Sequence, residues 1–341
     1  MTSVVLWAYS VGHFANDLCA SMWFIYLSFF LINVVGLDPT VAGLCLLSGQ
    51  IADGITTPIV GYFSDKLSCP CGKRNGWYYF GTVLVIPSFL FIFLGFQFPG
   101  NPSAENAWYL VWPAIFNVGW ASVQIAHLSI VNSLSYSQRM RDKMAVNRNG
   151  FTYAANIFVL SLALILFATV NSQITQFRVL GVTCVAMGAL TSMYYICVVR
   201  EKHLSQLAIE REAQYKQYLG NVPTKKETTE KKGKSAGDWL CEAQFYIFGL
   251  VYMFARISLN TTATILPLYL SETLGFKNAS SEGTNINLAG VPLSSYIASL
   301  AWSAFAQNAV TQHFRNRLIP MVIAIAVTAV GSIPMAFLNS A

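Results

Sequence analysis

Residues 4–35 read VVLWAYSVGHFANDLCASMWFIYLSFFLINVV, a run holding one charged side chain, Asp17, and one histidine, His13. A bilayer core about 30 Å thick needs about 20 mostly apolar residues per crossing helix. The segment therefore reads as a membrane span. Working outward from it, comparable runs recur at roughly 40–63, 77–97, 108–133, 150–171, 177–199, 239–270, 291–312 and 318–338, which makes nine candidate spans. The composition of the 341 residues agrees: 55% are apolar and 11% charged. Soluble domains carry about 25% charged residues, and disordered chains combine low hydrophobicity with high net charge, so both classes are excluded. The expected class is an all-α polytopic membrane protein.

The net charge of +6 does not point to nucleic acid, because the basic residues sit in loops between the apolar runs. Eighteen of the 21 Lys and Arg fall in the loops after spans two, four, six and eight, the last holding Arg315 and Arg317. The loops on the other side hold only Arg178 and Lys277. The positive-inside rule then places the N-terminal end in the cytosol, together with the long loop 200–238. The sequon Asn278-Ala279-Ser280 falls on the opposite side. Within the long loop, Arg200 to Leu219 has the character of an amphipathic surface helix, and Thr224 to Gly237 that of a flexible linker. The loop divides a six-span part, 1–199, from a three-span part, 239–341. Six spans, a basic cytosolic loop and further spans is the layout of two six-helix halves, which would need twelve helices.

Cysteines give no disulfide pattern. Cys19, Cys45, Cys184 and Cys197 lie inside apolar runs and Cys241 near the start of one. Cys69-Pro70-Cys71 has no second pair with which to hold zinc, and reads as free thiols. No phosphate loop, cofactor motif or nucleophile–base motif is present, so ATP-driven pumping and enzyme activity are not expected.

Ionisable residues inside a membrane are costly and mark function. Residues four apart share a helix face. On that arithmetic span one presents His13 and Asp17, and span two presents Gln50, Asp53 and Thr57. Span four presents Asn117, Gln124 and His127; span five Arg148, Thr152 and Asn156; span seven Arg256, Asn260 and Thr264. Pointing all five stripes at one water-filled cavity satisfies them most efficiently. Gln124, Asn156 and Asn260 also suit interhelical hydrogen bonding, and His127 alone suits packing.

The loop GYFSDKLSCPCGKR at 61–74 resembles the one between the second and third helices of the major facilitator superfamily. That resemblance implies that Gly61 permits close helix packing, that Asp65 faces a helix end, and that Lys73 and Arg74 fix orientation as parts of a gate. FAND at 14–17, ADGITTPIVGY at 52–62 and Arg148 opening span five are similar to the glycoside–pentoside–hexuronide:cation symporter branch. The branch implies a substrate contact at Asp17 and a coupling-cation carboxylate at Asp53. Thr57 stands where the branch has a second such carboxylate, and Gln124 where it has an aspartate. Closer still, GHFANDLCASMWF (12–24), GQIADGITTPIVGY (49–62), FNVGWASVQIAHLS (116–129), YAANI (153–157) and FYIFGLVYMFARISLN (245–260) resemble a eukaryotic subgroup that imports cysteine into lysosomes and melanosomes.

The implied fold is a major facilitator helical bundle with about nine of twelve helices present and an N-terminal cytosolic tail absent. On that implication the chain by itself does not transport. The implied activity of the full protein is alternating-access transport of a small polar solute from the cytosol into an acidic organelle. The substrate would meet Asp17, His13, Gln124, Arg148, Arg256 and Asn260. Coupling would fall to Asp53 and Thr57. With two oxygen ligands lost, protons fit better than sodium as the coupling ion. A cation-coupled sugar symporter, a lysophospholipid carrier and a non-transporting membrane scaffold are the alternatives. Membrane lipid is the expected surrounding partner.

Overall fold

A computed structural model describes residues 2–220, 237, 241–275 and 285–302, with residues 322, 323, 326, 327 and 330. Most of the ninth expected span, residues 303–312 of the eighth, most of the 224–237 linker, Lys277, the 278–280 sequon, Arg315 and Arg317 lie outside the described residues.

The elements are α1 (Ser3–Val11), α2 (Phe14–Phe29), α3 (Pro39–Lys66), α4 (Asn75–Phe93), α5 (Pro102–Leu134), α6 (Gln138–Thr169), α7 (Gln173–Val198), α8 (Glu201–Gly220), α9 (Ala243–Leu268) and α10 (Asn287–Ala301). No strand occurs among the described residues. Among the described residues, five segments are long and apolar enough to cross a membrane: Ser3–Val35, Asn75–Phe93, Pro102–Leu134, Gln138–Thr169 and Gln173–Val198. Helices α3 and α9 are also long, 28 and 26 residues, but carry polar stripes. Exposed apolar residues such as Val83, Leu190, Phe248 and Phe254 give the bundle a lipid-facing surface.

Helix α2 is the central post. Thirteen of its 16 residues are buried, and it touches α3, α5, α6, α7 and α9. Asn16 and Trp120 bond each other's backbone carbonyls, at 3.2 and 3.4 Å, and tie α2 to α5. Both α2 and α9 end in a π-helical turn, Phe30–Val35 and Tyr269–Thr273. Each turn leads to a glycine with positive φ, Gly36 at 88° and Gly275 at 66°. These ends meet near the start of α10: Tyr26 donates to Leu288 O at 3.4 Å, and Asn33 to Glu272 Oε1 at 3.4 Å. Asp38 caps α3 by accepting from Thr40 N at 2.8 Å, with Pro39 at the first helical position. That backbone bond holds the exposed Asp38 carboxyl below its usual range.

Two boundaries and one packing contact differ from the sequence expectation. The first span is interrupted at Gly12–His13. The break leaves backbone carbonyls to satisfy, and neighbours take them: Tyr78 Oη donates to Gly12 O at 2.7 Å, and His127 Nε2 lies 2.8 Å from Tyr9 O. A side chain at Gly12 would run into the Tyr195 ring. The fifth span begins at Gln138, so Arg148 stands ten residues inside α6 instead of opening it. Gly61 shows no close helix approach among the described residues, since nothing lies within 4 Å of where a Cβ would stand.

The tight crossing is between α4 and α5. A Cβ at Gly81 would lie 2.5 Å from Gly119 O, and one at Gly119 would lie 2.9 Å from Gly81 O. Backbone cannot yield as a side chain does. Gly81→Ala should therefore destabilise the fold by about 1–3 kcal/mol, as overpacking does. Thermal unfolding in detergent measures this, and an unchanged midpoint would contradict the crossing.

Candidate functional site

The break at Gly12–His13 sets the site. It turns His13 to the start of α2, one helical turn before Asp17. His13 Nδ1 lies 3.1 Å from Asp17 Oδ1. Asp17 Oδ2 accepts from Thr152 Oγ1 of α6 at 3.0 Å. His13 is 6% exposed and Asp17 7%. Neither His13 nitrogen has a well-formed hydrogen bond within the protein, and the same holds for the buried Ser21 hydroxyl.

His13, Asp17 and Ser21 line one wall of a cavity of about 550 Å³. Gln124 of α5 and Arg148, Thr152 and Asn156 of α6 line the next wall. Arg256 and Asn260 of α9, with Ser295, Tyr296 and Ser299 of α10, close the far side. All six residues expected at a substrate site thus border one space. Two guanidinium groups face one carboxylate there, leaving a surplus positive charge. Arg148 Nη2 donates to Asn149 Oδ1 at 3.2 Å, and the Arg256 guanidinium lies 5.8 Å from the centre of the Tyr252 ring.

The five-stripe expectation is only partly met, because the α3 stripe turns elsewhere. Asp53 is half-buried and accepts from Thr57 Oγ1 at 3.3 Å, and neither lines the 550 Å³ cavity. Gln50 borders a second space of about 570 Å³, lined mainly by apolar residues such as Trp23, Leu46, Met253 and Ile257. Arg256 and Asn260 border both spaces. Arg256 is also near enough to Asp53 to act on it electrostatically. Thr264 borders only the second space, and two further stripe members leave the site. His127 is fully buried and stacks on Tyr9 at 4.4 Å, and Asn117 donates to Pro113 O at 2.8 Å within α5. Both are helix-packing residues.

At the opposite level, Arg74 gathers the loop 61–74. Its Nη2 donates to Asp65 Oδ1 at 2.9 Å, its Nη1 to Ser133 Oγ at 2.6 Å and its Nε to Ser129 Oγ at 3.1 Å. Lys73 donates to Asp65 O at 3.3 Å. A residue without a role in the sequence reading completes the cluster. Glu201, 4% exposed at the start of α8, accepts from Arg74 N at 2.8 Å and Asn75 N at 2.9 Å. It therefore caps α4 from another helix. A side chain at Gly72, where φ is +126°, would collide with this carboxylate.

The MFS/sugar transport protein family matches residues 8–341. Major facilitator superfamily domain-containing protein 12 of Mus musculus is 34% identical over 91% of this chain and 66% of its own length. The sodium-dependent lysophosphatidylcholine symporter 1 of Xenopus tropicalis is 30% identical over 34% of this chain and 22% of its own. The chain thus spans less than two thirds of the length of these curated relatives. An inward-open structure of the xylose transporter XylE from E. coli aligns with 89% of this chain and 68% of its own, with a TM-score of 0.51 and 13% identity, and so shares the fold. This chain belongs to the MFS/sugar transport protein family of multi-pass membrane transporters.

Proposed function

We propose that the full protein moves a small zwitterionic solute, cysteine by the resemblance noted above, through the cavity between α2, α5, α6, α9 and α10 by alternating access. The observation that carries this reading is the charge arrangement: Arg148 and Arg256 border the same cavity as Asp17. A surplus guanidinium suits a substrate carboxylate, which a neutral sugar lacks. Asp17 suits an ammonium group. Residues 1–199 and 239–341 act as the two rocking bodies and 200–238 as the connection between them. The N-terminal end faces the cytosol, and the membrane is that of a lysosome or related organelle. Uptake of labelled cysteine and of labelled sugar by the full-length protein in proteoliposomes tests the substrate. Sugar uptake without cysteine uptake would defeat the proposal.

A lysophospholipid is the second reading, favoured by the apolar 570 Å³ space that adjoins the polar one. Lysophosphatidylcholine that is itself carried, and that blocks cysteine uptake, would favour it.

Coupling is assigned to Asp53, with Thr57 as its partner and Arg256 as its link to the cavity. A lone carboxylate beside a hydroxyl offers too few oxygens for sodium but suffices for a proton. Transport should therefore follow pH and ignore sodium, and Asp53→Asn should flatten the pH profile. Uptake measured across pH, with and without sodium, decides it. A strict sodium requirement, or an unaltered profile in the variant, removes Asp53 from the role.

A further inference from the structure

A separate cavity of about 260 Å³ opens where α1 begins and where α5 and α7 end, beneath α8. Its floor is apolar, with Val5, Leu134 and Leu207, and its rim is basic, with Arg200, His203 and Arg211. No carboxylate lines it. Neither guanidinium is ion-paired among the described residues. Glu201, beside Arg200, is turned away to Arg74 and the start of α4. Glu210 and Glu212 flank Arg211 in sequence but do not border the cavity. The positive end of α1 points the same way, with Thr2 Oγ1 accepting from Val5 N at 3.4 Å.

An apolar floor under a cationic rim, at the level where the spans end, matches an anionic amphiphile at a membrane surface. A free anion would use the rim and leave the floor idle. We infer that this cavity binds the phosphate headgroup of an anionic phospholipid from the adjoining leaflet. The phosphate sits between Arg200, His203 and Arg211, and the first carbons of an acyl chain cover Leu134 and Leu207. The site lies apart from the transport cavity and does not depend on its substrate.

Native mass spectrometry of the full chain in detergent tests this, with phosphatidylglycerol, phosphatidylcholine and inorganic phosphate as probes. Phosphatidylglycerol should give one saturable adduct, and phosphatidylcholine, whose phosphate is neutralised by choline, a far weaker one. Inorganic phosphate should not displace the lipid. The double variant Arg200→Gln/Arg211→Gln should bind roughly thirty-fold more weakly, at about 1 kcal/mol for each basic residue lost. Leu207→Trp, which fills the floor and leaves the charges, should weaken it as well. Equal binding of both lipids, displacement by inorganic phosphate, or unaltered affinity in both variants would overturn the inference.

Discussion

Arg256→Gln in the full-length protein should remove most substrate affinity and transport. Arg256 borders both large cavities and acts on Asp53, so its charge serves the site whichever group it meets. Arg256 is exposed on α9, so its loss removes a hydrogen bond to a charged group, which is about 1.5–3 kcal/mol or roughly ten-fold or more in affinity. The measurement is concentration-dependent uptake together with substrate-induced thermal stabilisation. Unaltered affinity and rate would refute the role. The double variant Arg256→Gln/Asp53→Asn separates two mechanisms. If Arg256 serves mainly by pairing with Asp53, the second change restores part of the loss; if it binds a substrate carboxylate, the losses persist.

Glu201→Ala should be the most destabilising single change at the Arg74 cluster. It strips two amide partners from the start of α4 and a carboxylate from beside Arg74, 3.9 Å away. Leaving buried donors unsatisfied costs about 1–3 kcal/mol. A total near 3 kcal/mol would lower the unfolding midpoint by roughly 4 °C for a chain of this length. Glu201→Gln keeps one acceptor oxygen and should fall between the two. A midpoint for Glu201→Ala within a degree of the parent chain would remove the cap from the account.

The spans were legible because long apolar runs have few alternatives in a bilayer. The meeting of His13, Asp17, Gln124, Arg148, Arg256 and Asn260 followed from helical spacing, since residues one turn apart share a face. The direction of α3 did not follow. A stripe fixes a face but not the neighbour that face meets, and Asp53 accordingly stands outside the main cavity. The interruption at Gly12–His13 was hidden because a lone glycine is tolerated inside many membrane helices; Tyr78 and His127, far along the chain, satisfy the backbone it frees. Gly81 and Gly119 look like any small residues in an apolar run. Glu201 was read as part of a solvated helix because a carboxylate opening a charged stretch usually faces water. Its burial depends on Gly72 leaving room, which spacing along the chain does not reveal.

Anchoring by Glu201 changes what the long connection can do mechanically. With Glu201–Gly220 helical and its start tied to α4, the length that connects α8 to α9 does not begin at Arg200. It begins at Gly220, leaving 22 residues before Ala243. At about 3.3–3.6 Å per residue these can reach at most roughly 75–80 Å, well beyond the width of one helical bundle. On the proposed alternating access, a leash of that length sets how far the two parts can separate, not which way they lean. Insertions after Gly220 should lengthen the leash harmlessly, whereas the same insertion between Glu201 and Leu207 would lever α8 off its seat.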